Sequence, residues 1–182
     1  SEGLMYRVHN APDPQKIKDL ALLIRTLGYH FNLDKEGNIK ANELNKLFKE
    51  IEGKPEEALI KTAAVRSMSK AIYSTLNTGH FGLAFEYYTH FTSPIRRYPD
   101  LLVHRILETY IQGKKLSNND VAFFAEAAES STEREISASD AERSSIKYKQ
   151  VEYWAPRVGA ELSGVISGVT EWGMYIEETE TK

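Results

Sequence analysis

Proline and glycine divide this chain into a row of helices before any other feature is weighed. Proline in a first helical turn and glycine just past a last one are common start and stop marks. In PDPQKIKDLALLIRTLG, Asp13 offers a cap, Pro14 the first helical position and Gly28 the exit. Ile17, Leu20, Ala21, Ile24 and Leu27 keep helical spacing and predict a buried stripe. A second helix is predicted over residues 41–52, with Leu44, Leu47, Phe48 and Ile51 inward and Gly53 behind it. Pro55 opens a third, carried through EEALIKTAAVRSMSKAIYS to Ser74. Residues 83–91 are aromatic and weakly alternating, which predicts an extended segment. Ser93 as cap and Pro94 as first residue start a fourth helix that Gly113 ends. Pro99 inside it predicts a kink or a tight first turn. A long fifth helix is expected from Asn118 to Tyr153, closed by Pro156.

Then the pattern changes. VGAELSGVISGVTEWGMYIEE reads as strands punctuated by Gly159, Gly164, Gly168 and Gly173, which places a domain boundary near residue 157. The expected class is α+β, mainly helical, with residues 1–157 as one portion and 158–182 as the start of another. The chain opens on Ser1 rather than Met and runs straight into YRVH, so an excerpt of a longer protein is expected.

Composition matters for what it excludes. With no cysteine, neither a disulfide framework nor a cysteine-ligated metal is available. No apolar run approaches the roughly 20 residues of a membrane-spanning helix, and no charged-then-apolar segment leads the chain. A cytoplasmic protein without a membrane partner is the default expectation. The net charge of −3 argues against a general nucleic-acid binder, but its distribution is uneven. Between Arg96 and Arg105 three arginines face the single acid Asp100, and a local basic stretch binds phosphates whatever the total charge.

NLDKEGNIKANE, residues 32–43, imitates a calcium loop. Asp34, Glu36 and Asn38 fall on ligand positions, Gly37 on the sixth and Glu43 on the twelfth. Position one is Asn32, Gly28 has already ended the preceding helix, and no second loop pairs with this one. The reading adopted is a solvated connection between helices.

The chemistry concentrates in SPIRRYPD. Ser93 and Pro94 start the helix, and Arg96 and Arg97 follow within its first turn. A helix N-terminus favours anions, so two cations there are unfavourable unless an anion is held. Guanidinium forks and helix amides together form a phosphate clamp. His80, Tyr87, Tyr88, His90, Phe91 and Tyr98 lie nearby in sequence, and aromatic rings beside a basic groove suit single-stranded nucleic acid. The plainer alternatives are core packing for Phe85, Tyr87 and Phe91 and hydrogen-bonded structural roles for His80 and His104. Asp100, one turn after Arg96 and one before His104, is placed to orient both.

HFGLAFEYYTHFTSPIRRYPDLLVHR closely resembles the signature of the ribonuclease R and ribonuclease II family, the processive 3′-to-5′ exoribonucleases. YRVHNAPDPQKI, GKPEEALIKTAAVRSMSKAIYS and DAERSSIKYKQVEYW resemble other segments of the same catalytic domain, and RRYPDLLVHR is nearer to its ribonuclease R branch. The resemblance implies the C-terminal half of such a domain and hydrolysis of RNA to nucleoside monophosphates. It implies single-stranded RNA as partner, with the ribosome or RNA-decay machinery as further candidates. It places Arg96 at the arginine that contacts the reacting phosphate, a catalytic role, and Arg97 as a second clamp or a structural ion-pair partner. Ser93 and Tyr98 fall beside the RNA. Glu142, in DAER, matches a glutamate near the RNA channel or is a surface acid paired with a neighbouring base. Residues 80–82, from His80 to Gly82, would shape the channel wall.

The resemblance also implies magnesium, held by an aspartate cluster that in the family lies upstream of this segment. Asp13, Asp19, Asp34, Asp100, Asn119, Asp120 and Asp140 are scattered and supply no substitute, so no metal ligand is assigned and the segment alone is expected to be inactive. The C-terminal run resembles the opening strands of an S-one-type OB barrel, with Trp172 and Tyr175 at RNA-stacking positions or, in a partial barrel, packed as plain hydrophobes. The rival functions are a non-enzymatic RNA-binding module and a helical interaction domain whose arginines bind carboxylates.

Overall fold

A computed structural model describes residues 4–179. Its elements are β1 (Tyr6–Val8), α1 (Pro14–Thr26), α2 (Ala41–Glu50), α3 (Glu57–Ser67), β2 (Ile72–Ser74), α4 (Tyr98–Ile111), α5 (Asn118–Trp154), β3 (Gly164–Thr170) and β4 (Gly173–Glu178), with short 3₁₀ turns at Phe81–Leu83 and Ala155–Arg157. The α+β, mainly helical expectation holds. The chain divides into two compact units, residues 1–134 and 135–182.

The first unit carries two cores. In one, α1, α2 and α3 pool Ile17, Leu20, Ile24, Leu44, Leu47, Ile60 and Ala64 with Ile51, the residue that caps the end of α2, all buried. Each isoleucine or leucine among them contributes about 1.5–3 kcal/mol on full burial. Asp13 caps α1 by accepting the amides of Gln15 and Lys16, and Gly28 leaves it with φ of 87°, as the punctuation predicts. Ala21 and Leu27 complete the stripe only at its half-buried edge.

The second core joins Met5 and Tyr73 to Leu102, Val103 and Ile106 of α4 and Phe124, Ala127 and Ala128 of α5. Here β1 and β2 pair antiparallel, with Tyr6 opposite Ser74 and Val8 opposite Ile72. The third helix therefore ends at Ser67, seven residues earlier than predicted. Its last stretch, read as helix, is a strand because β1 supplies a partner and Tyr73 a buried position, which propensity does not see. The third helix also begins at Glu57 rather than Pro55, after a turn in which the Glu57 amide bonds to Lys54.

The extended segment predicted over residues 83–91 is not a strand. His80 caps the Phe81–Leu83 turn, Ala84 takes a left-handed conformation (φ 55°), and one isolated bridge joins His80 to Phe85. Beyond it the chain is irregular, tied by the Arg7 amide to the Tyr88 carbonyl (2.8 Å) and by the Thr89 hydroxyl to the Met5 carbonyl (2.7 Å).

In the second unit β3 and β4 form an antiparallel hairpin with a register shift between Ile166 and Gly168. A Cβ on Gly164 would lie 2.4 Å from Ile176 Cγ2 and 3.1 Å from the Glu177 carbonyl oxygen, so a larger residue at this position would have to displace its neighbours.

Candidate functional site

The arginine segment precedes α4 rather than opening it. The Ser93 carbonyl accepts the amides of Arg96 (3.2 Å) and Arg97 (3.0 Å), closing a turn over residues 93–97. Arg97 is the N-cap of α4, with extended backbone (φ −124°, ψ 111°) and no side-chain cap bond. Pro99 dictates this break. A helix begun at Pro94 would put Pro99 in its second turn, where the ring collides with the carbonyl four residues back. Starting at Tyr98 moves Pro99 into the first turn, where it is tolerated. The expected Ser93 hydroxyl cap is thus corrected: the Ser93 backbone organises the turn.

The two arginines then diverge. Arg97 is only 25% exposed and donates through Nη2 to Asp100 Oδ2 at 2.9 Å. The same oxygen accepts the Ser93 amide at 2.8 Å, and Asp100 is fully buried. Arg96 is exposed, and its guanidinium has no hydrogen-bond or ion-pair partner among the described residues. Asp100 therefore grips Arg97, not Arg96 and His104 as the spacing suggested. His104 instead donates through Nε2 to the Phe91 carbonyl (2.7 Å) and stacks on the Phe91 ring (4.2 Å between centroids). Beside Arg96, Ile95 and Tyr98 are exposed.

A second cluster forms where β1 meets residues 77–91. His9 Nδ1 accepts the Gly82 amide at 3.0 Å, so the ring proton sits on Nε2 and goes to the Ser69 carbonyl at 2.8 Å. His80 Nδ1 accepts the Leu83 amide at 3.2 Å. From His9 a row of rings runs through His80 (5.1 Å), Tyr88 (5.0 Å further) and His90 (5.8 Å) to Tyr73, whose hydroxyl lies 2.9 Å from His90 Nδ1. The Arg7 guanidinium covers the Tyr73 ring at 4.5 Å. Burial pushes the His80 imidazole below its ordinary range, and the positive charge of Arg7 pushes the same way. His80 is therefore a half-buried cap within a ring row.

Phe85, Tyr87 and Phe91 are exposed, which corrects the core alternative for all three. His9, Arg7 and Tyr73 carry this cluster with no sequence signal: 73 residues separate His9 from Gly82, and 17 residues of mostly irregular chain separate Tyr73 from His90.

The other sequence-derived residues belong to the second unit. Glu142 is exposed on α5 and unpaired among the described residues, while its neighbour Arg143 pairs with Asp140 at 3.7 Å. Trp172 stands in the β3–β4 turn, 94% exposed, and Tyr175 is exposed on β4 opposite Gly168. Neither is packed as a plain hydrophobe in this hairpin.

Among the described residues, no three His, Asp, Glu or Cys side chains gather into a cation site, so the residues present do not fit the magnesium that the resemblance implies. In the loop at 32–43, Asp34 Oδ1 accepts the amides of Glu36 (2.9 Å) and Asn38 (2.8 Å), and Glu43 takes the Asn32 amide (3.3 Å) and Lys46 (2.6 Å). Those hydrogen bonds, led by the Asn38 amide on Asp34 and by Lys46 on Glu43, hold both carboxyls below the usual range.

The RNB domain model matches residues 1–113, more than half of the chain, and the chain belongs to the RNB domain family. Its relatives are more particular. Ribonuclease R of Aquifex aeolicus is 40% identical over 177 residues, covering 97% of this chain and 25% of the relative. Ribonuclease R 1 of Lactococcus lactis is 42% identical over 180 residues, covering 97% of this chain and 22% of the relative. Mycoplasma genitalium RNase R, solved in complex with ribose-methylated single-stranded RNA, superposes with a TM-score of 0.86 at 27% identity, covering 98% of this chain and 29% of that one. The chain spans about a quarter of the length of the curated relatives it matches.

Proposed function

We propose that this chain supplies part of the catalytic domain of a 3′-to-5′ exoribonuclease acting on single-stranded RNA in the cytoplasm, and that residues 158–182 open an OB-type RNA-binding barrel. The observation that carries the reading is Arg96, an exposed guanidinium without a partner, set in a braced turn just ahead of the α4 amides. In hydrolysis, water adds to the terminal phosphorus and the 3′-oxygen of the preceding nucleotide leaves, releasing a nucleoside 5′-monophosphate. Negative charge grows on the phosphoryl oxygens during the attack, and a fixed guanidinium fork stabilises that charge. Arg96 has this role. Arg97, already neutralised by Asp100, supports the turn and is a weaker phosphate ligand.

Trp172 and Tyr175 present ring surface suited to stacking unpaired bases, and Tyr98 does so next to Arg96. The magnesium that the family reading requires would be held by carboxylates other than those described here.

The test uses a protein of ribonuclease R length that contains this chain. Arg96→Ala should lower kcat by about a hundredfold or more, the scale of removing one transition-state donor. RNA affinity should change less, because other phosphate contacts remain. Arg96→Lys should restore only part of the rate, since an ammonium lacks the two-pronged geometry. Stability should stay within about 1 kcal/mol for an exposed side chain. Loss of folding with unchanged turnover per folded molecule would make Arg96 structural and overturn the reading.

A further inference from the structure

Resting on the reading of Arg96 given above, we infer that Asp100 is a positioning residue for Arg96: its buried carboxylate ties down both ends of the turn that carries the guanidinium. One oxygen, Oδ2, holds the Ser93 amide at 2.8 Å and Arg97 Nη2 at 2.9 Å. These two donors flank Pro94, Ile95 and Arg96, so the three residues form a short span whose ends share one anchor. Within the span, Pro94 fixes its own φ, and the Ser93 carbonyl takes the amides of Arg96 and Arg97.

The anchor is itself immobile. Asp100 lies in the first turn of α4, fully buried, and the next residues of that helix, Leu102, Val103 and Ile106, are packed into the second core. A carboxylate so placed cannot reach RNA. It acts through Arg97 and the Ser93 backbone, by deciding where the Arg96 side chain starts.

The pair is also poorly built for stability alone. Asp100 Oδ1 and Arg97 Nε are both buried without a hydrogen-bond partner. A half-satisfied buried ion pair gives little net stabilisation over an apolar replacement. What this one supplies is geometry, and a misplacement of about 1 Å in a positioning group costs roughly a hundredfold in rate.

Asp100→Asn keeps the size of the side chain and leaves one oxygen as acceptor, but removes the charge that holds Arg97. In the ribonuclease R-length protein, this variant should lower kcat on labelled single-stranded RNA by about a hundredfold while leaving KM nearly unchanged. Added to Arg96→Ala, it should cause little further loss, because the residue it positions is gone. Arg97→Lys, which keeps a cation against the carboxylate, should lose less than Asp100→Asn and guards against a variant that fails to fold. In the 182-residue chain, amide exchange at Ser93 should speed up in Asp100→Asn while the α4 amides keep their protection.

Losses that multiply in the double variant, or an Asp100→Asn protein that turns over normally, would overturn the inference while leaving the Arg96 role intact. Normal turnover in Arg96→Ala alone would instead sink the Arg96 role, and this inference with it.

Discussion

Gly82→Ala is a one-methyl test of how the loop at residues 77–91 is held. A Cβ on Gly82 would stand 2.9 Å from His9 Nδ1 and 3.1 Å from His9 Cε1, where ordinary contacts begin near 3.4 Å. The His9 ring has little room to retreat. It is 9% exposed, its Nε2 is committed to Ser69 at 2.8 Å, and His80 and Phe81 meet it edge-on at 5.1 and 6.1 Å. Displacing it strains packing, at about 1–3 kcal/mol for an extra methyl in a filled site. Lengthening the bond from the Gly82 amide to Nδ1 adds about 0.5–1.5 kcal/mol. Against this, replacing glycine restricts the unfolded chain and returns about 0.4–1 kcal/mol. The net expectation is a loss of about 0.5–4 kcal/mol, centred near 2, read as a lower urea midpoint at unchanged m-value. His9→Ala destabilises too, but in that background Gly82→Ala should be nearly neutral, since the clash has been removed. A Gly82→Ala protein as stable as the parent, or additive losses in the pair, would refute the claim that His9 fills the space over Gly82.

Three further outcomes are expected. The 182-residue chain, purified and supplied with magnesium, should show no exonuclease activity on labelled RNA, and shortening that chelation abolishes would contradict this. Millimolar calcium should leave the unfolding midpoint unchanged, because Asp34 and Glu43 are engaged within their own loop; a true site would add about 2.7 kcal/mol at a hundredfold excess over Kd. His80 titrates below its ordinary 6.5 when folded, so as pH falls through that value the unfolded chain takes up the proton first and stability declines until the folded pKa is passed. His80→Asn, which still caps the Phe81–Leu83 turn, should flatten that slope, and an unchanged slope would assign it to other groups.

What the sequence makes legible here is what local rules decide. Asp13, Pro14 and Gly28 bound the first helix because cap, ring and left-handed exit are one-residue effects. The 37 residues of α5 follow from the lack of any breaker between Gly113 and Pro156. The misreadings share a different cause. Residues 72–74 form a strand only because Tyr6–Val8, more than sixty residues earlier, lies alongside them. The aromatic run at 83–91 alternates like a strand, yet it finds no ladder and leaves Phe85, Tyr87 and Phe91 on the surface. Of the candidate site, SPIRR is legible as a basic segment at the approach to a helix. Its partition into one neutralised and one free arginine is not, because that depends on which of them Asp100 reaches.

That partition settles the electrostatic puzzle of two cations beside a helix N-terminus. Uncompensated, each would oppose the helix dipole by a few tenths of a kcal/mol or more. Arg97 avoids this because Asp100, an acid in the first turn of α4, is itself favoured by the dipole and pairs with the guanidinium at 2.9 Å. The first helical amides and Arg97 thus share one buried negative charge, and together they come near to balance. Arg96 has no such counterpart: the turn carries it ahead of the helix and into solvent, with no carboxylate in contact among the described residues. One net positive charge therefore remains at this corner, on a span pinned at both ends and flanked by exposed Ile95 and Tyr98. An arginine meant only for solubility needs no such bracing, because a solvated side chain gains nothing from a fixed origin. Bracing matters when the charge must meet a partner at a set place, and a phosphate oxygen that gains charge during reaction is such a partner.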